Sequence, residues 1–401
     1  MIPILSVFID GLKPESVANM PFLNCFENQK RIRTELSAYS SACHASMYTG
    51  VTLNKHLSWF TWKFSPNTSP FKIASKLSNR ILYKNVYYQR LLYASSLKIN
   101  GLPSSFGFTV FANIIPMNKW QYFDLSIKKD IFDDAIYPYP TIFSILRKQK
   151  KGIDIIGLFS KRLNESSKDV AKHMCEKTKQ FTYFFIGDID PLSHTHGQDS
   201  DLVKAHLLRI DSIIEKKYKE YEKKFGDNFY FFVFSDHGHA LIKNHINLDY
   251  LFKQNGYSLN DYTFFLDSNY ARFWFTKESD QYELNKILNN LNDLGYVFSK
   301  EQLKHYNADM PDNRYGDLIF YLDRPNVFLH GDIHVFGRKV TAQEISVHGY
   351  LPDYPESDAV IVSNQKLINK DHIALQDIAP SVLSASDLKI PEYMDGEPFW
   401  R

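Results

Sequence analysis

Five apolar, β-branched or aromatic runs, at residues 2–9, 153–158, 182–186, 229–234 and 359–362, alternate with stretches of helical period. Strands that are apolar on both faces are covered on both faces. Their alternation with helices predicts a mostly parallel, doubly wound α/β sheet. Helices are expected over 13–27, 140–148, 167–178, 202–224 and 375–384. In 202–224 the apolar residues Leu202, Leu207, Ile210, Ile213 and Ile214 recur at helical spacing among Lys and Glu. Two stretches interrupt the alternation. Residues 58–139 are dense in aromatics, among them Trp59, Phe60, Trp62, Trp120 and Tyr122, and residues 244–342 mix short strands with helices. The core is therefore expected in three parts, 1–57, 140–243 and 343–401, with cap insertions at 58–139 and 244–342.

Composition excludes several classes. Charged residues are 23% and the net charge is +2, so there is no electrostatic footprint for nucleic acid or an anionic membrane. Three widely spaced cysteines, Cys25, Cys43 and Cys175, make neither a disulfide framework nor a CxxC metal site. The longest apolar candidate, 102–117, is broken by Pro103, Ser104, Ser105, Asn113 and Pro116, so no transmembrane segment is expected. The first residues, MIPILSVFIDGL, have no basic region and no small-residue cleavage site. A cytoplasmic location is the expectation.

In a doubly wound sheet, ligands bind beyond the carboxyl ends of the strands. Here those ends carry Asp and His. The first run ends in Asp10-Gly11. The 182–186 run is followed by Asp188, Asp190, His194 and His196. The 229–234 run leads into Ser235-Asp236-His237-Gly238-His239. A later loop holds His348-Gly349. Asp oxygens and His nitrogens suit zinc and similar divalent ions, and a pair of such ions is suited to phosphoryl transfer. Asp188 competes with Asp190, but the DxxxH spacing to His194 favours Asp190. His196 and His239 flank these residues and read as outer contacts or leaving-group contacts. Before a short helix lies Tyr39-Ser40-Ser41-Ala42-Cys43-His44, where a hydroxyl would face backbone N–H groups and a positive dipole end. Taken alone, such a serine is an ordinary helix cap.

In this order, FIDGL, Ser40 four residues before His44 in CHASMYTG, DPLSHTHG, SDHGH, SVHGY and the closing DIAPSVL resemble the alkaline phosphatase superfamily. Within it the pattern is similar to the type I phosphodiesterase/nucleotide pyrophosphatase family. The resemblance implies two divalent-metal sites, with zinc the first choice of ion and manganese the alternative. Asp190, His194 and His348 match the ligands of one. Asp10, Asp236 and His237 match those of the other, completed by the oxygen of Ser40, which matches the nucleophile. A phosphoserine intermediate is implied. Ser41, one residue on, remains an alternative.

The chain departs from that family's pattern in places. Ser-Ser-Ala-Cys-His stands where the diesterases mostly have Thr-Phe-Pro-Asn-His. Thr61 falls where the family places a phosphate-donating Asn, and is either a substrate contact or a buried structural residue. The nucleophile segment has neither the Pro nor the Arg of sulfatases. The expected substrate is a small phosphodiester or pyrophosphate, such as a nucleotide, a nucleotide-sugar, or a glycan- or lipid-linked phosphate, with His196 and Thr61 as candidate contacts. Cap aromatics would either stack a base or form the cap's own core. A phosphomonoesterase or phosphomutase with the same metal site is the alternative, and a non-catalytic binding member is the alternative of another class.

Overall fold

The computed structural model describes residues 2–77, 85–102, 115–149, 152–156, 180–329, 333–335, 338–340, 344–368, 370 and 372–400. The expected helix over 167–178 and Cys175 lie outside the described residues, as does His330-Gly331-Asp332, which the sequence offers as a polar cap-loop turn. The chain divides into two compact units. One comprises Met1–Ser58, Asp130–Leu241 and Glu344–Arg401, the other Trp59–Lys129 and Ile242–Gln343.

The first unit is built on a seven-stranded sheet. Its strands are β1 (Ile4–Ile9), β2 (Asn28–Arg33), β3 (Ile153–Ile156), β4 (Phe181–Ile186), β5 (Tyr230–Phe234), β6 (Ala359–Ser363) and β7 (His372–Ala374). Their spatial order is β7-β2-β6-β5-β1-β4-β3. All run parallel except β6, which is antiparallel to both β2 and β5. The central strands β1 and β4 are buried along their whole length, as an apolar run without alternation requires.

Helices cover both faces. Even-numbered β1 residues Ile4 and Phe8 pack with Phe181, Tyr183 and Phe234 under α1 (Ser40–Thr49), α2 (Ile142–Lys148) and α5 (Ile378–Ala385). Leu5, Val7 and Ile9 pack on the other face with Val233 and Val360 under Val203, Leu207, Ile210 and Ile214 of α4 (Asp201–Phe225). The α4 boundaries follow from its ends. Ser200 caps the first turn by accepting from Val203 N–H, and Gly226 at φ 62° ends the last. The helix expected over 13–27 is instead a 3₁₀ turn, Pro14–Asn19, followed by a short α-turn, Pro21–Asn24. Pro21 has no N–H to continue the first, and Met20 before it is pushed out of helical geometry, at φ −124°.

The second unit has a four-stranded antiparallel sheet, in the order Thr263–Asp267, Tyr270–Trp274, Leu318–Leu322 and Gly295–Val297. Its core takes up Trp62, Phe71, Tyr93, Trp120 and Phe123 together with Phe264, Phe265 and Trp274. Phe60 and Trp59 are also buried, Phe60 lying 4.2 Å under the guanidinium of the fully buried Arg272. Arg272 is held by Asp267 (Nε to Oδ2, 2.8 Å) and by the Trp62 carbonyl (3.0 Å). Of the two roles open to the aromatic stretch, these residues take the structural one. No helix among the described residues is long and apolar enough to cross a membrane.

Candidate metal centre

Asp10 follows β1 directly, and its N–H donates to Ile186 O of β4 (2.9 Å). Gly11, at φ 71°, then turns the chain away. On the neighbouring strand, Ser235 donates to Leu12 O (2.6 Å), and Thr34 Oγ1 donates to Asp236 O (2.8 Å). These bonds fix the backbone on which Asp236 and His237 stand.

The side chains form two groups. In the first, Asp236 Oδ1 accepts from the N–H groups of Gly11 (3.2 Å) and His237 (3.1 Å). His237 Nδ1 faces Gly238 O at 3.1 Å and donates to it, because a carbonyl can only accept. His237 Nε2 is therefore a lone pair. It lies 3.6 Å from Asp10 Oδ1 and 3.4 Å from Asp236 Oδ2. All three atoms are buried, and none has a hydrogen-bond partner. Buried polar groups normally find one, so three acceptors converging without a donor mark the place of a cation. Donors about 2.0–2.2 Å from a tetrahedral ion stand about 3.3–3.6 Å from one another, which these separations match.

The second group gathers around Asp190. It sits with His194 on α3 (Ile189–His196), four residues apart and hence on one helical face. His194 Nε2 is 3.4 Å and His348 Nε2 is 3.8 Å from Asp190 Oδ1. The strand pair Ala240–Leu241 with Ser346–Val347 brings in the late loop, and Ile345 N–H donates to His194 O (2.8 Å). His348 then stacks on His237, with ring centroids 4.0 Å apart. Donor atoms of Asp10, Asp236 and His237, and those of Asp190, His194 and His348, each lie within 4.8 Å of one another.

The electrostatics agree. Burial, then the charges of Asp236 and Asp190, pushes Asp10 well above its ordinary value. Burial pushes Asp236 up to about 8 and His237 down to about 3, and holds His348 well below its usual value. Burial also opposes the charge on Asp190, but His194, His239 and His348 outweigh it and hold that carboxyl low. Burial likewise opposes the charge on His194, but the Asp190 carboxylate raises it to about 9. Carboxylates this crowded and this dry are ionised together only beside a cation.

Ser40 is the first residue of α1, whose far end is closed by Gly50 at φ 72°. The ring of Tyr39, just before it, meets His348 edge-on at 5.7 Å. One turn further, His44 packs against Phe8 of β1, and Cys43 lies close enough to Asp236 to feel its charge. Ser40 shares the helical face of Cys43 and His44. Ser41 is about a quarter-turn round, and its buried Oγ has no hydrogen-bond partner.

The other sequence candidates have these surroundings. Asp188 faces His206 (3.3 Å) rather than the cluster. His196 is exposed at the end of α3, about 200° round the helix from His194, and the structure does not bring it to the cluster. Thr61 belongs to the second unit, where its carbonyl accepts from Ser126 N–H (2.9 Å). Conversely, His239, expected as an outer contact, reaches Asp190 at 3.0 Å, and Glu344, not expected at all, lies 3.5 Å from His194 Nδ1.

A family model described as type I phosphodiesterase / nucleotide pyrophosphatase matches residues 4–351. The chain belongs to that family. It is a hydrolase of the phosphodiesterase/nucleotide pyrophosphatase type, in a family that uses divalent metal ions. Among solved structures, murine ectonucleotide pyrophosphatase/phosphodiesterase 5, an inactive variant in complex with AMP, is similar at 15% identity. The match covers 98% of this chain and 96% of that one, with a TM-score of 0.67. The human protein of the same name is similar at 15% identity, covering 98% and 97%, also with a TM-score of 0.67. At this identity the likeness establishes the fold, an alkaline-phosphatase-like core. Comparison with curated protein sequences gives no match.

Two features behind the candidate metal centre make testable predictions. Gly238 separates His237 from His239, and a Cβ there would lie 2.3 Å from Glu356 O and 2.9 Å from Asp358 O, both backbone atoms. Gly238→Ala must shift that turn. It is expected to cost about 1–3 kcal/mol and to weaken zinc binding, as read by thermal unfolding and zinc titration. Unchanged stability and affinity would contradict this.

The second feature lies beneath α1. Ser46 Oγ donates to Glu35 Oε1 (2.7 Å) and faces His56 Nε2 (3.0 Å), while Ser58 N–H donates to His56 Nδ1 (3.1 Å). Burial pushes Glu35 up to about 7 from 4.5, and His56 down to about 3. Because the folded pKa of Glu35 is raised, its contribution is full below pH 4.5 and is lost as pH rises through about 7, a change of about 3 kcal/mol. Glu35→Gln cannot ionise. Its melting temperature should gain on the natural chain between pH 5 and 8. A difference that stays constant with pH would refute the assignment.

Proposed function

We propose that this chain hydrolyses small phosphodiesters or pyrophosphates with two divalent ions and the Ser40 hydroxyl as nucleophile. One observation carries the proposal: unpartnered, buried oxygen and nitrogen lone pairs converge at the carboxyl edge of the sheet, beside the start of α1. Asp10, Asp236 and His237 would hold one ion, with Ser40 Oγ completing its shell. Asp190, His194 and His348 would hold the other. The mixed oxygen and nitrogen donor set suits zinc, with manganese as the second choice. When bound, the ions supply positive charge that lowers the pKa of the serine hydroxyl and offsets charge on the phosphoryl and leaving oxygens.

Ser40 Oγ bonds to phosphorus as its proton passes to solvent water, and the P–O bond to the leaving group breaks on the opposite side, the leaving oxygen taking a proton from water. The N–H groups of the first turn of α1 orient the phosphoryl oxygens. Water then cleaves the seryl phosphate and returns Ser40 to its hydroxyl form. The four-residue spacing to His44, as in the family's pattern, favours Ser40, the first residue of α1, as the attacking residue; Ser41, whose buried Oγ has no hydrogen-bond partner, is the alternative. The AMP complex of the murine relative supports a nucleotide or nucleotide-sugar as substrate ahead of glycan- or lipid-linked phosphate.

The test is hydrolysis of bis-p-nitrophenyl phosphate against p-nitrophenyl phosphate by the zinc-loaded chain. Preference for the diester is expected. Preference for the monoester would move the assignment to a phosphatase or mutase on the same site.

A further inference from the structure

We infer that one face of the second unit, formed by the helices Lys72–Lys76 and Val86–Ile99, docks on an anionic lipid surface. The inference is independent of the two-ion reading. The near-zero net charge of the whole chain conceals a segregation of charge along it. Between Glu35 and Asp124 the chain has nine Lys and Arg and no Asp or Glu, so all 45 acidic residues lie outside residues 36–123. Both helices fall inside that stretch.

The two helices pack side by side. The rings of Phe71 and Tyr93 stack at 5.1 Å, and Tyr88 OH donates to Leu77 O (3.0 Å), so the helices run antiparallel. Phe71, Ala74, Tyr93 and Leu97 enter the core of the unit. The opposite sides carry apolar residues too. Ile73 and Leu77, four residues apart, are 71% and 48% exposed. Tyr87 and Leu91, also four apart, are 57% and 65% exposed, and Ile99 at the helix end is 80% exposed. Lys72, Lys76 and Lys98 are exposed among them. Tyr87, Leu91 and Lys98 share a stripe about 40° wide on their helix. Asp261 lines a cavity with Lys76 and tempers the charge there.

Exposed aliphatic side chains clustered on one face mark a surface that something covers. Cations set among them are the pattern of a face that lies in the headgroup layer of a membrane. Lysine stems lie along apolar surface while the ammonium groups reach lipid phosphates, and a tyrosine ring suits the headgroup level. A second copy of the chain, face to face, would bring the same cations against these and repel them. Single-stranded nucleic acid is held by stacked aromatic rings, and one Tyr among four aliphatic residues offers little of that. An anionic lipid surface answers both the apolar residues and the charge.

The test is co-sedimentation of the full chain with sucrose-loaded vesicles, made of phosphatidylcholine alone or of phosphatidylcholine mixed with phosphatidylserine. Binding to the mixed vesicles is expected to be at least about 10-fold tighter, and to weaken as salt is added. The double variant Ile73→Glu, Leu91→Glu should bind the mixed vesicles at least about 10-fold more weakly, with the natural chain's circular dichroism. Equal binding to both vesicle types, equal binding by variant and natural chain, or no binding at all would each overturn the inference. Sedimentation velocity tests the rival occupant: a concentration-dependent dimer that the double variant loses would give the face to a second copy and overturn the lipid assignment. If the double variant fails to fold, Lys72→Gln with Lys98→Gln decides in the same vesicle assay, where unchanged binding would overturn the inference.

Discussion

Replacing Ser40 with alanine is expected to abolish turnover while leaving the zinc content of the chain unchanged. The expected fall in rate is at least about 10³-fold, because the proposed route needs the Ser40 hydroxyl to form its covalent intermediate. Ion content stays because Asp10, Asp236 and His237 remain on rigid backbone: the β1 and β5 ends, bonded to β4 and to Thr34. Folding stays because Ser40 is the first, partly exposed residue of α1, and the helix is anchored further along by Cys43, Met47 and Tyr48. Zinc per chain and hydrolysis of a diester, measured on the same sample, separate the two effects. Full activity in Ser40→Ala would shift the role to Ser41 or to a different mechanism. A parallel loss of zinc would make Ser40 chiefly a ligand.

Asp236→Ala is expected to lose the ion as well as the activity. Asp236 Oδ2 is one of the three unpartnered acceptors, and its Oδ1 also holds the Gly11 and His237 N–H groups. The substitution removes a donor and loosens two neighbours, so zinc affinity at that position should fall by at least about 100-fold. His348→Ala should do the same at the Asp190 position. It would also remove the ring that stacks on His237. Inductively coupled plasma measurement of zinc per chain after dialysis reads both losses. Two zinc ions retained in Asp236→Ala would refute the assignment of the first group.

Much of this was legible in the sequence because the governing periods are local. An apolar run without alternation followed by Asp-Gly identifies both the buried strand β1 and the loop after it. The DxxxH spacing places Asp190 and His194 on one helical face without any tertiary information. The amphipathic 202–224 stretch gives α4 nearly to its ends. Other features depended on distant partners. His239 reads as a neighbour of His237, and only its bond to Ser346, brought close by the pairing of residues 240–241 with 346–347, turns Nε2 towards Asp190. Glu344 approaches His194 through the same pairing. His196 shares a motif with His194 but not a helical face. The helix expected over 13–27 is interrupted because Pro21 outweighs the apolar pattern around it.

Phosphoryl transfer through Ser40 and direct attack by water differ in their stereochemical outcome at phosphorus. Hydrolysis of a diester made chiral at phosphorus, run in isotopically labelled water, tests this directly. Two successive in-line displacements give retention of configuration, which is the result predicted. Inversion would mean a single displacement by water, and would contradict the covalent route through Ser40.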